Sequence, residues 1–264
     1  MTTGAPTSAE LLELANDVIE GWHRFLDRAP TTSGERLSRA ACVYGLAMNN
    51  TNLLHFVVRA HSKQVSGLLL MPQIRTIFET GITAQWIAQI EDGANAWINE
   101  SRRQTEGLVK RLRESSIEVF NEAADPIEKA RVDYEELPTK SGKVVRDFSK
   151  ICDEIGIGAD GTYQYYKLMC AFTHPSVDIA DEYLVQNADR EFGFSVLREP
   201  KFNPTDAWLY LAIAGTLWAQ MAFQYNAKDR QFRRDLGAIA RRIGVPADLK
   251  PTDAAWLRMN ASGD

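Results

Sequence analysis

Apolar residues recur along most of this chain at three- and four-residue steps, the period of amphipathic helices. The strongest run is roughly Leu68 to Ile90, LLLMPQIRTIFETGITAQWIAQI, where Ile74, Ile77, Phe78, Ile82, Trp86 and Ile90 mark one face for burial. Pro72 is expected in its first turn, where a missing N–H costs nothing. Ahead of it, Thr7-x-x-Glu10 reads as a capping box. It opens a helix with Leu11, Leu12, Ala15, Val18, Ile19, Trp22, Phe25 and Leu26 on one face. Thr32-x-x-Glu35 reads as a second box, opening a long helix to about His61 with Leu37, Ala41, Tyr44, Met48, Leu54 and Val58 inward.

Beyond the central run, a charged helix is expected from about Asn95 to Ala123, with Trp97, Leu108, Leu112, Val119 and Phe120 on its inner side. Its mixed acidic and basic residues read as a solvated face held by weak pairs. A short helix follows at 126–136, then a turn series at Val144, Phe148, Ile151 and Ile155 stopped by Gly156 and Gly158. Asp160 is a candidate cap for the helix carrying YYKLMCAFT, which Pro175 ends at His174. Ser176 starts a short helix with Asp178, Asp181 and Glu182. Strand-like patterning is confined to 186–204, a hairpin or an ordered loop. Thr205 or Asp206 caps an apolar helix, and a final helix covers about 229–243 with Phe232, Leu236, Ile239 and Ile243 inside. The reading is an all-α multi-helix bundle with one irregular or hairpin insertion near 186–204. One domain spans 1–245, followed by a loosely attached C-terminal tail at 246–264.

Composition narrows the function classes. Of 264 residues, 45% are hydrophobic and 25% charged, as in ordinary globular proteins. The net charge of -5 argues against an electrostatic nucleic-acid binder as a whole. A local basic face remains on the last helix, where Arg230, Arg233, Arg234, Arg241 and Arg242 are candidate contacts for RNA or a protein partner, with plain solvation as the default. Self-association is left open. Three scattered cysteines without a Cys-x-x-Cys pair fit a reducing cytosol. The start MTTGAPTSAELLELAND lacks a signal-peptide pattern, so a cytoplasmic location is expected. Residues 207–227 carry no charge and have the length of a membrane span. Gln220, Gln224 and Asn226 weaken that reading, and a buried central helix is the preferred one.

Candidate chemistry gathers at two places. Arg75 and Glu79 are four apart and therefore neighbours on a helix surface. His174 lies about a hundred positions later. If the two segments pack, these groups form a polar centre: a histidine for acid–base work, a carboxylate to orient it, an arginine to hold a phosphate or carboxylate. The competing reading is a structural lock between helices. A second polar cluster, Asn49, Asn50, Thr51, Asn52 and His55, lies within the long helix, and some of it is expected to turn inward to bond a partner. Glu79, His174, Asp178 and His55 are suitable metal-ligand types, but no Glu-x-x-His or His-x-x-x-His spacing accompanies them, so no metal is expected. Glycine-rich nucleotide loops and serine-hydrolase elbows are absent too, and no cofactor is expected.

The pairing of Ile74, Arg75 and Glu79 with Tyr166, Lys167, Met169, Cys170, His174 and Pro175 resembles an uncharacterised bacterial all-helical family. That family typically reads leucine, x, arginine, three residues, glutamate, and later tyrosine, arginine, leucine-serine and histidine-proline. The likeness covers roughly residues 35–225. Lys167 replaces the arginine and Met169-Cys170 the leucine-serine pair. The arrangement is similar, more distantly, to HEPN-type bundles, many of them metal-independent ribonucleases of toxin or phage-defence systems. These place an arginine four to six residues ahead of a histidine, and Lys167 is the nearest equivalent here. Two expectations follow. One is a non-catalytic bundle that binds a ligand or partner through Arg75, Glu79, Tyr166, His174, Asn52 and His55. The alternative is a HEPN-like ribonuclease with His174 and Lys167 acting and Arg75 and Glu79 in support.

Overall fold

The capping box at the start of the chain forms as its sequence predicts. Glu10 accepts from the Thr7 backbone N–H at 2.8 Å, and Thr7 Oγ1 accepts from the Glu10 N–H at 3.4 Å. The structure, a computed structural model, describes residues 6–32, 37–130, 135–156, 161–201, 205–227 and 231–260. In chain order the helices of the first half are α1 (Ser8–Asp27), α2 (Leu37–Ser62), α3 (Gly67–Gln89), α4 (Gly93–Arg113), α5 (Glu118–Glu122) and α6 (Ala124–Ala130). There follow α7 (Phe148–Glu154), β1 (Ile155–Gly156), α8 (Thr162–Ala171), α9 (Val177–Asp181), β2 (Leu184–Gln186) and β3 (Phe194–Val196). The chain closes with α10 (Thr205–Phe223), α11 (Gln231–Ile243), β4 (Lys250–Pro251) and α12 (Asp253–Asn260). The fold is all-α, with β1 paired antiparallel to β4 and β2 to β3. Of the two expectations for 186–204, a hairpin or an ordered loop, the hairpin is present, starting two residues before 186, with Leu184 opposite Val196. Residues 202–204, within that expectation, lie outside the described ones.

The core is built where α3, α10 and α2 meet, with α1 on one side. The apolar segment 207–227 belongs here: α10 is buried throughout 212–223, with Ile213, Leu217 and Trp218 in the core, while Ala207 at its start is exposed. No helix among the described residues is long and apolar enough to cross a membrane. α3 and α10 touch backbone to backbone. A Cβ on Gly81 would overlap the Gly215 carbonyl oxygen, and one on Gly215 would lie 2.8 Å from Ile77 O. Only glycine permits that approach.

A seam of buried polar side chains stitches the contact. Asn50 of α2 donates to Ile77 O of α3 at 2.9 Å and to Gly215 O of α10 at 3.3 Å. Both carbonyls use the second lone pair that a helical C=O keeps. Gln220 donates to Thr51 Oγ1 at 3.0 Å and to Val18 O of α1 at 3.3 Å. Gln85 donates to Trp218 O at 2.8 Å. The inward turn expected of some α2 amides is thus made by Asn50.

That seam explains one correction. The inward face of α2 is Ala40, Val43, Ala47, Asn50, Thr51, Leu54, Val57 and Val58, while Leu37, Ala41 and Tyr44 are exposed. Leu54 and Val58 are buried as expected and Met48 packs partly buried on the core, but the buried face also contains polar Asn50 and Thr51, which apolar periodicity does not mark. Glu35, half of the second capping box, lies outside the described residues. Pro72 is a second correction: with Ser66 as N-cap it sits within the helix, past the first turn. The charged helix is a third, since it stops at Arg113 instead of running to Ala123. Ser115 Oγ takes the Ile117 N–H at 3.1 Å there, a local alternative to the helical ladder. Leu108, Val119 and Phe120, expected inside, are exposed.

The segment after 246, expected to hang loosely, is fastened over its described residues, 247–260. Buried Glu154 accepts from Trp86 Nε1 at 2.8 Å and from Arg258 of α12, whose Nη2 is at 2.8 Å. Arg258 Nη1 donates to Ser141 Oγ at 2.9 Å, and Leu249 and Ala255 are buried.

Two stability outcomes are expected. Gly81→Ala forces α3 and α10 apart and lowers stability by about 2 kcal/mol or more, read as a lower urea midpoint. An unchanged midpoint would mean the helices do not touch there. Arg258→Ala leaves Glu154 buried without its charge partner. Arg258 keeps a quarter of its side chain in water, so the loss is expected at about 3 kcal/mol, the low end for a broken buried pair.

Candidate functional site

α3 turns one face to the core and another to α8, which packs on it and on α7. Arg75 and Glu79 stand on the α8 side, 3.9 Å apart. α8 ends at Ala171, and the chain then makes a tight turn in which the His174 N–H donates to Cys170 O at 3.2 Å. Pro175 stops the helix from continuing. Ser176 fixes the far side of the turn: its hydroxyl donates to Ala171 O at 3.0 Å and accepts from the Ile179 N–H at 3.2 Å, capping α9. The expected cap of α8, Asp160, lies outside the described residues, and Gly161 occupies the N-cap.

This turn delivers Thr173 and His174 to Arg75. Arg75 Nη1 lies 3.2 Å from Thr173 Oγ1 and 3.2 Å from His174 Nε2, while Nη2 donates to Tyr166 Oη at 2.6 Å. The guanidinium carbon also sits 4.8 Å from the centre of the Tyr166 ring. Tyr166 is held between Phe148 at 4.6 Å and Tyr163 at 5.7 Å, centroid to centroid. Arg75 Nε is buried and finds no partner among the described residues.

Guanidinium has donors only, so His174 Nε2 must accept and the ring proton sits on Nδ1. Burial works against the charge on Arg75. The hydrogen bond to Tyr166 and the nearby Tyr166, Cys170 and Glu79 outweigh it, and the arginine pKa is raised. Burial likewise pushes the Glu79 carboxyl above its usual range, against the pull of Arg75. It raises the Tyr166 hydroxyl too, against the hydrogen bond from Arg75. The tyrosine therefore keeps its proton and, having accepted from Arg75, has an O–H left to donate.

The expected residues divide into two groups. Arg75, Glu79, Tyr166 and His174 meet. Lys167 is exposed on α8, and among the described residues no hydrogen bond or ion pair joins it to His174. Asn52 and His55 are exposed on α2 and are likewise not bonded to the cluster. Of the basic face, Arg233 pairs with Asp248 at 2.8 Å, and Arg242 reaches Asp17 of α1 at 3.5 Å. Arg234 and Arg241 are exposed, and Arg230 lies outside the described residues. Sequence reasoning missed Thr173, whose signal was its place beside His174, and the part of Phe148, whose apolar period marked it for packing but not as a wall of this cluster. It also missed Glu100, a buried carboxylate that accepts from Arg103 Nε at 2.7 Å and Arg146 Nε at 3.2 Å beside a cleft of about 790 Å³. None of the Arg75 cluster lines that cleft. Among the described residues no three or more His, Cys, Asp or Glu converge as metal ligands.

An all-α bundle whose third helix clasps a His-Pro turn through one arginine is the class this geometry defines. Residues 70–192 match the model of a family of unknown function (DUF5677), a stretch that contains Arg75 and Glu79 near its start and Tyr166 and His174 towards its end. Comparisons with curated proteins and with solved structures gave no match.

Arg75→Ala removes the donor shared by Tyr166, Thr173 and His174 and is expected to cost about 1–3 kcal/mol. Hydrogen exchange of the 172–176 amides should accelerate with it. Arg75→Lys should restore little, since an ammonium cannot span three acceptors as the planar fork does. Exchange rates equal to wild type in Arg75→Ala would remove the clasp.

Proposed function

We propose that this chain is a non-catalytic binding module that holds an anionic oxygen, a phosphate or carboxylate of its ligand or partner, at the Arg75–Tyr166–His174 cluster. One observation carries this reading: the donors outnumber the charge that answers them. Arg75 directs its Nη groups to three neutral acceptors, and its own carboxylate neighbour Glu79 stands off at 3.9 Å. The Tyr166 O–H and the Nδ1–H of exposed His174 add two further donors. A charged, donor-rich cluster is complemented by an anionic acceptor. The engaged Nε2 of His174 supports the non-catalytic part, because the lone pair a general base would use is already bound to a cation. Three free cysteines, Cys42, Cys152 and Cys170, support a reducing, cytoplasmic setting.

A second reading, a HEPN-like ribonuclease of a defence or toxin system, is favoured by the exposure of His174 beside a permanent cation. It asks Lys167 to supply a phosphate contact and His174 to exchange its arginine for a substrate.

His174→Ala separates the two. An exposed side chain lost from a turn is expected to move the melting temperature by no more than about 2 °C. On the binding reading, saturable binding of inorganic phosphate by calorimetry weakens in this variant, and neither protein cleaves RNA. If wild type binds no phosphate, the binding reading fails. RNA cleavage by wild type that disappears in His174→Ala at unchanged melting temperature would establish the ribonuclease instead.

A further inference from the structure

The contact between Arg75 Nη1 and His174 Nε2, 3.2 Å, fits one protonation state of the ring. A guanidinium only donates, so the imidazole accepts at Nε2 and carries its proton on Nδ1. A second proton, arriving at Nε2, turns that acceptor into a donor and sets two cations face to face. Histidine is the side chain whose ordinary titration falls between about pH 5 and 8. The bond is therefore a latch that a proton opens, and the opened state calls for an anion between the two charges.

Among the described residues, no carboxylate of the chain stands in that place. α3 presents Arg75 and Glu79, the latter 3.9 Å from the other nitrogen, Nη2. α8 presents the Tyr166 hydroxyl bonded to Arg75, the nearby Cys170 thiol and exposed Lys167. α7, behind Tyr166, contributes Cys152, a thiol that burial pushes up to about 12 and so keeps neutral. α9 carries exposed Asp178, with no bond to the ring, and Asp181, paired with Lys201 at 2.8 Å. α10 meets the turn through Trp208 against Phe172, and its Asp206 accepts from the Ser8 hydroxyl at 2.7 Å.

The turn has the means to admit an anion from outside. His174 is exposed, so its ring swings into water about its own side-chain bonds. The backbone stays fixed by the His174 N–H on Cys170 O at 3.2 Å and the Ser176 hydroxyl on Ala171 O at 3.0 Å. An oxyanion entering between Nη1 and Nε2 then accepts from both, with the Tyr166 O–H as a further donor. A carboxylate answers one of the two positive charges. A tetrahedral dianion answers both and offers an oxygen to each donor.

We propose that the cluster binds a doubly charged tetrahedral oxyanion together with one proton: the anion bridges Arg75 and His174, and His174 takes the proton from solvent at Nε2 as its bond to the arginine opens. This rests on the anion reading of the cluster and adds to it the ligand class and the pH dependence. Because the bound state holds the extra proton, affinity rises as pH falls.

Inorganic sulfate is the probe, since it stays a dianion across this range and brings no proton of its own. Calorimetry of the full chain in two buffers of different ionisation enthalpy counts the protons taken up. Wild type takes up a fraction of one proton near neutral pH. Its sulfate affinity rises about tenfold between about pH 8 and pH 6, the yield of half a proton averaged over that range. His174→Gln, whose amide oxygen still accepts from Arg75, binds sulfate more weakly, with no uptake and no pH dependence. Glu79→Gln keeps the uptake, which excludes the carboxyl that burial already raises. Uptake that survives His174→Gln, or disappears in Glu79→Gln, moves the proton to the carboxylate and overturns the proposal. Sulfate bound without a proton overturns it and leaves the anion reading standing, whereas no sulfate bound at all overturns both.

Discussion

The contact on which the rest depends is the backbone-to-backbone crossing of α3 and α10 at Gly81 and Gly215. Two helices this close cannot be held apart by side chains, so their spacing is set by the main chain itself. Asn50 then bonds to a carbonyl on each and ties a third helix to the same point. A buried amide left without such acceptors would cost a few kcal/mol, so the seam discriminates strongly against other registers of α2. A core of Leu and Ile alone would tolerate sliding; this one does not.

A fixed α3 is what makes the polar cluster possible. Gly81 faces α10, whereas Arg75 and Glu79 project from the same helix towards α8. The guanidinium therefore stands on an element whose position the core determines. The His-Pro turn is the adaptable partner: short, partly exposed, and positioned by what it can bond to. Arg75 supplies that bonding through Thr173 and His174 at once, with Tyr166 below.

The way charge is answered differs across the molecule, and the difference is informative. Glu154 is buried and met by Trp86 and Arg258. Glu100 is buried and met by Arg103, Gln104 and Arg146, with Arg103 holding its carboxyl below the usual range. Asp92 loses solvation, yet hydrogen bonds from Ser141, Thr139 and Lys140 more than compensate and lower its pKa. These three carboxylates are satisfied within the chain and serve as fasteners. Arg75 is answered by neutral oxygens and one neutral ring nitrogen, with its carboxylate at a distance.

Local order alone determined the helical class and the capping box of α1, and it favoured burial of the 207–227 segment and a hairpin or ordered loop near 186, because each rests on period, caps and length within a few residues. The grouping of Arg75, Glu79, Tyr166 and His174 came with the family resemblance instead, and in a candidate set that also held Lys167, Asn52 and His55. What it could not decide was which side of α2 faces inward, where α4 stops, that α12 is pinned by a buried carboxylate, or that Lys167, Asn52 and His55 stand apart from the cluster. Those depend on partners a hundred residues away. Asn50 is an inward residue only because Ile77 and Gly215 bring two carbonyls within reach, and Glu154 is a fastener only because Arg258 arrives beside it. The energy of a buried polar group lies in its partner, and a partner is chosen when helices pack, after periodicity has said all it can.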